Sequence, residues 1–133
     1  MARISGPLVD RIDIHVNVPP VDFADLNAPA GGATSAQMRV EVMAARERQQ
    51  QRFSSSSTQC NGRMSSSEVR KFCKLDDAGT MLLKQAMYEL GLSARAHDKL
   101  HKIARTIADM EGVEDIAADH LAQAIGYRIL DRL

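Results

Sequence analysis

Ile12, Ile14, Val16 and Val18 alternate with Asp13, His15 and Asn17, and Pro19 and Pro20 come directly after them. A period of two in β-branched side chains marks a half-buried strand. The proline pair ends it, because proline cannot donate to a ladder. A strand leaves backbone groups that a neighbouring strand must satisfy. No second pattern of this kind occurs downstream, so the strand has to pair with another chain or with a sheet outside the 133 residues. The residues beyond Pro20 must bury a core in some other way.

They do so by helical periodicity. Residues 21–35 contain Pro29, Gly31 and Gly32 and read as a linker. Ser35 is placed to cap a helix over 35–52, with Met38, Val42 and Ala45 on one side and a tail, Gln49, Gln50, Gln51 and Arg52, that is polar all round. After a low-complexity loop at Ser54 to Ser57, Val69, Phe72 and Cys73 mark a short helix ending near Leu75. Asp76 caps the next helix, in which Leu82, Leu83, Ala86, Met87 and Leu90 form the apolar stripe. Gly91 occupies a left-handed C′ position, and Ser93 opens another helix two residues later. The stripe of that helix is Ala96, Leu100, Ile103, Ala104, Ile107 and Met110, and Gly112 ends it. A last helix is expected over 118–130, burying Leu121, Ala124, Ile125 and Ile129; Ala117 stands where a capping side chain belongs. The expected fold class is all-α, a helical bundle preceded by a single orphan β-strand.

Lys and Arg number 17 and so do Asp and Glu, so the surplus cation that a dedicated nucleic-acid or anionic-membrane binder uses is missing. Cys60 and Cys73 do not form a disulfide framework and read as reduced thiols of a cytoplasmic protein. No apolar run is long enough to span a bilayer. His97 and His101, four apart beside Asp98, have metal-ligand spacing, but no third ligand is identifiable; two solvent-facing histidines explain them better. Arg95, Lys99 and Lys102 form a basic line, which reads either as a solvated face interleaved with Asp98 and Asp109 or as a phosphate contact centred on Arg95 in the first helical turn. Arg11, at the start of the strand, reads as an ordinary surface charge or as a guanidinium projecting from a sheet edge. No glycine is followed by lysine, so the P-loop that cradles nucleotide phosphates is absent. Two arginines suited to phosphate without a cradle suggest part of a larger site.

Three blocks carry a family resemblance. Ile4-Ser5-Gly6-Pro7-Leu8-Val9-Asp10-Arg11 with the adjoining strand resembles the late part of the AAA+ core in magnesium chelatase-like ATPases of the ComM/YifB type. Gly91-Leu92-Ser93-Ala94-Arg95-Ala96-His97 through Asp109 resembles their sensor 2 helix, and His120-Leu121-Ala122-Gln123-Ala124-Ile125-Gly126-Tyr127-Arg128 resembles their ending. Val9 replaces the second Leu of the Leu-Leu-Asp-Arg motif. The resemblance implies that Arg11 is an arginine finger acting in trans on the neighbouring subunit's nucleotide and that Arg95 is the sensor 2 residue. It divides the chain into a core remnant over 1–18, a linker over 19–34 and a helical lid over 35–133. ATP and Mg would belong to the full-length protein, with none expected in this fragment, which is not catalytic alone. The implied partners are the missing AAA+ core, neighbouring subunits of a homo-oligomeric ring and, as a candidate, DNA; no membrane is implied. Residues 1 to about 34, lacking their sheet, are expected to be poorly ordered or placed otherwise than in the full-length protein. The competing reading is a free-standing helical module that docks protein or nucleic acid through Arg95, Lys99 and Lys102.

Overall fold

A computed structural model describes residues 5–128. Two single-turn helices, α1 (Gly6–Val9) and α2 (Phe23–Leu26), precede the bundle, and both are exposed. The bundle consists of α3 (Ser35–Arg52), a 3₁₀ turn (Asn61–Arg63), α4 (Ser66–Phe72), α5 (Asp77–Leu90), α6 (Ala94–Glu111) and α7 (Ala118–Gly126). The expected all-α class is what forms. Leu100, Ala104, Ala108, Leu121 and Ala124 are wholly buried, with Phe53, Met64, Val69, Cys73, Leu83 and Ile116 packed around them. α6 is the central element and packs against α3, α4 and α7.

The expected helix boundaries meet their physical causes here. Asp76 and Ser93 cap α5 and α6 through the backbone N–H of Gly79 and Ala96. Gly91 (φ 58°) and Gly112 (φ 78°) take the left-handed conformation that ends the two helices, where a Cβ would be strained. The cap of α3 is Thr34 rather than Ser35, because Gln37, three residues on, completes a reciprocal capping box with it. α4 ends at Phe72, before Leu75. α7 ends at Gly126, short of the expected Leu130; Ile129 and Leu130 lie outside the described residues. The missing cap at Ala117 is supplied from inside the helix. His120 Nδ1 accepts the Ala117 N–H at 2.9 Å, which leaves Nε2–H to donate to Glu111 at 2.7 Å. His120→Ala should therefore cost about 2 kcal/mol, a cap plus a buried hydrogen bond, read as a lower urea midpoint with an unchanged slope.

The strand expected over 12–18 does not form. The pairing present among the described residues is a single parallel bridge between Leu75 and Ile116. The backbone of this segment is bonded to the end of the bundle: the His15 N–H donates to the Tyr127 carbonyl at 2.7 Å, and the Ile12 carbonyl accepts from Arg128. Neither face of the alternation is buried as a face. His15 is buried, while Ile12, Ile14, Val16 and Val18 are 38% to 80% exposed. Residues 10–15 are docked on α6 and the end of α7.

A second correction concerns polar residues. The tail of α3 is not polar all round, since Gln49 is buried and accepts the Asn61 N–H at 2.8 Å. Asp109 belongs to no solvated face: it is 1% exposed and takes both guanidinium nitrogens of Arg52, the Asn61 amide at 2.8 Å and Arg105 at 3.2 Å. Arg105 also donates to the Val113 and Glu114 carbonyls beyond the end of α6. Burial pushes the Arg105 guanidinium below its usual range, and Asp109 opposes the shift. This network fastens the C-terminal half of α6 to α3 and to the 3₁₀ turn.

Candidate functional site

The N-terminal end of α6 carries Arg95 and is bonded to the segment that carries Arg11. Ser93, the cap of α6, donates its hydroxyl to Asp10 Oδ1 at 2.8 Å. Arg11 is the next residue after Asp10, and Arg95 is the second residue of the helix that Ser93 caps. Both arginines are exposed, and neither has a hydrogen bond or ion pair through its side chain among the described residues. The setting has the features of an anion contact: free backbone N–H groups, the positive end of a helix dipole and two planar cationic forks.

Of the expected basic line only Arg95 remains open. Lys99 is held by Asp13 at 2.6 Å, and Lys102 reaches the Gly62 carbonyl at 3.5 Å. Asp98 accepts from Ser66 at 2.8 Å and from His97 at 3.2 Å, and its carboxyl lies below the usual range; burial opposes that shift, and the Ser66 and His97 hydrogen bonds drive it. His101 is buried, not solvent-facing; its Nδ1 sits 2.9 Å from the His97 carbonyl, its ring lies 4.4 Å from that of His97, and burial lowers its pKa. Among the described residues no cluster of three or more metal-ligating side chains occurs. Cys73 is buried and its thiol is pushed up to about 11, chiefly by desolvation, which suits core packing and not nucleophilic attack.

A cleft of about 600 Å³ opens at the other end of α6, about 21 Å away along the helix. Arg48, Arg52, Lys71, Lys74 and Arg105 line it, but α3, α4 and α6 all end there. Their terminal carbonyls carry partial negative charge, and together with Asp109, Glu114 and Asp115, which also line the cleft, they balance the cations. This cleft is therefore electrostatically accounted for from within.

Sequence reasoning missed the residues that hold the Arg11 segment. Arg128 is completely buried; it donates to the Ile12 carbonyl and, at 3.5 Å, to the Asp13 carbonyl, with its other terminal nitrogen 4.0 Å from Asp10. Its contacts lie more than a hundred residues away in sequence, and no local pattern announces them.

The model of the family described as "Magnesium chelatase, subunit ChlI C-terminal" matches residues 32–128. The competence protein ComM of Haemophilus influenzae is 41% identical over 132 residues, 98% of this chain and 25% of that protein. YifB of Escherichia coli K12 is likewise 41% identical over 98% of this chain, and YifB of Salmonella typhimurium 39%. The chain spans about a quarter of the length of these relatives.

Proposed function

The chain belongs to the magnesium chelatase subunit ChlI C-terminal family, and we propose that it is the C-terminal lid region of a ring-forming AAA+ ATPase of that kind. Arg11 serves as an arginine finger for the nucleotide of the neighbouring subunit, and Arg95 serves as the sensor 2 contact. The observation that supports this reading is the Asp10 to Ser93 hydrogen bond, which ties the segment bearing Arg11 to the start of the helix bearing Arg95. Guanidinium groups are suited to the charge that builds on the oxygens of a transferring γ-phosphate.

The fit to a nucleotide is partial in an informative way. This chain offers outer contacts to phosphate oxygens, but no glycine-rich cradle with its lysine and, among the described residues, no acidic or histidine cluster for a cation. ATP and Mg would be held by the region of the longer polypeptide outside these residues, where Mg neutralises phosphate charge. Residues 1–18 then belong to that ATPase core, 19–34 to a linker and 35–133 to the lid. The exposed Ile12, Ile14, Val16 and Val18 support this division, since they leave apolar surface to be covered by the longer polypeptide. DNA is a candidate substrate of the assembled motor, given the competence protein among the relatives; the neutral charge of this segment argues that the main grip lies elsewhere. The free-standing interaction module loses its basis, because two of its three cations are engaged within the chain.

The test is ATP hydrolysis by the longer polypeptide. Arg95→Ala should lower turnover about a hundredfold, as for loss of one oxyanion donor, and unchanged turnover would refute the role. The 133-residue chain alone should show no ATP binding by ordinary titration.

A further inference from the structure

Between residues 5 and 44, His15 is the one buried residue among those described. The apolar residues of the segment bearing Arg11, Val9, Ile12 and Ile14, are at most partly buried, so its position depends strongly on polar contacts. These converge from two elements. From α6, Ser93 binds Asp10 at 2.8 Å and Lys99 binds Asp13 at 2.6 Å. From the end of α7, Tyr127 accepts the His15 N–H at 2.7 Å, and Arg128 spans the Ile12 and Asp13 carbonyls with Asp10 at 4.0 Å.

Arg128 is the unusual member. Burying a guanidinium completely is costly, and an apolar side chain of similar volume would close the end of α7 with a smaller desolvation penalty. What the guanidinium adds is direction: rigid, charge-assisted donors aimed at the carbonyls immediately after Arg11. We propose that Arg128 is a positioning residue for Arg11, clamping residues 10–13 so that the Arg11 segment, the start of α6 with Arg95 and the end of α7 move as one body. A finger placed wrongly by about 1 Å forfeits on the order of a hundredfold in rate. A clamp of this kind also ties Arg11 to any displacement of the lid. The inference rests on the reading of Arg11 as a finger.

The experiment compares Arg11→Ala, Arg128→Gln, Arg128→Lys and Asp10→Ala in the longer ATPase polypeptide, with kcat and KM for ATP measured separately and helicity followed by circular dichroism. Arg128→Gln should lower kcat about a hundredfold and leave KM within about twofold. Arg128→Lys, which keeps the charge and one donor, should recover part of the loss. Asp10→Ala should lower kcat in the same sense with helicity intact; its side chain lies outside the core, so it decides the question if Arg128→Gln fails to fold. If Arg11→Ala is impaired while Arg128→Gln and Asp10→Ala turn over like the parent, the clamp is wrong and the finger stands. If Arg11→Ala turns over normally, the finger reading falls and the clamp with it. A rise in KM at constant kcat for the Arg128 and Asp10 variants would also overturn the proposal, since that would mark a role in binding and not in placing the finger.

Discussion

Arg11→Ala in the longer polypeptide is expected to lower ATP turnover by about three orders of magnitude, the lower range for removing an arginine finger. The effect should fall on kcat, because a group that meets charge developing on the γ-phosphate contributes little to ground-state binding. Stability should be unaffected, since Arg11 is exposed and its side chain has no hydrogen bond or ion pair among the described residues. Arg11→Lys should restore only part of the rate, as an ammonium cannot reproduce the planar fork.

The second large effect concerns stability and lies at the opposite end of α6. Asp109→Ala should destabilise the bundle by about 3–5 kcal/mol, because it strands the buried guanidinium groups of Arg52 and Arg105 without their carboxylate. For a domain of this size that is a Tm lower by roughly 10–20 °C. Asp98 on the same helix is the control. It is partly exposed and bonded to Ser66 at the surface, so Asp98→Ala should cost about 1 kcal/mol or less. Equal losses for the two variants would refute the network described around Asp109.

That pair also shows what the sequence could reveal and why it stopped there. Helical stripes such as Leu100, Ile103, Ala104 and Leu121, Ala124, Ile125 were legible because burial of apolar residues repeats with the helical period. Caps were legible because Asp76, Ser93, Gly91 and Gly112 act on their own neighbours. The same pattern logic sends polar residues outward, and it failed for His101, Arg105 and Asp109, which succeed one another at four-residue intervals along a buried face of α6. Their burial is made tolerable in part by Arg52 and Asn61, distant in sequence. Thr34 and Ser35 have equivalent capping chemistry, and only Gln37 decided between them. The alternation over 12–18 is a true pattern, yet a strand forms only against a partner strand, and among the described residues none pairs with it. Arg11 and Arg95 were visible through the family resemblance. The bond between Asp10 and Ser93 beside them was not, because it joins residues separated by 83 positions.

The most direct test of the proposed role is subunit mixing in the longer polypeptide. Subunits carrying Arg11→Ala, with an intact nucleotide site, are combined with subunits whose own P-loop lysine has been replaced but whose Arg11 is intact. Each is inactive alone. If Arg11 acts on the neighbour's nucleotide, the mixture hydrolyses ATP well above the sum of its parts, since each defective subunit supplies what the next one lacks. Activity no greater than that sum, across all mixing ratios, would contradict the assignment of Arg11 as a finger acting in trans.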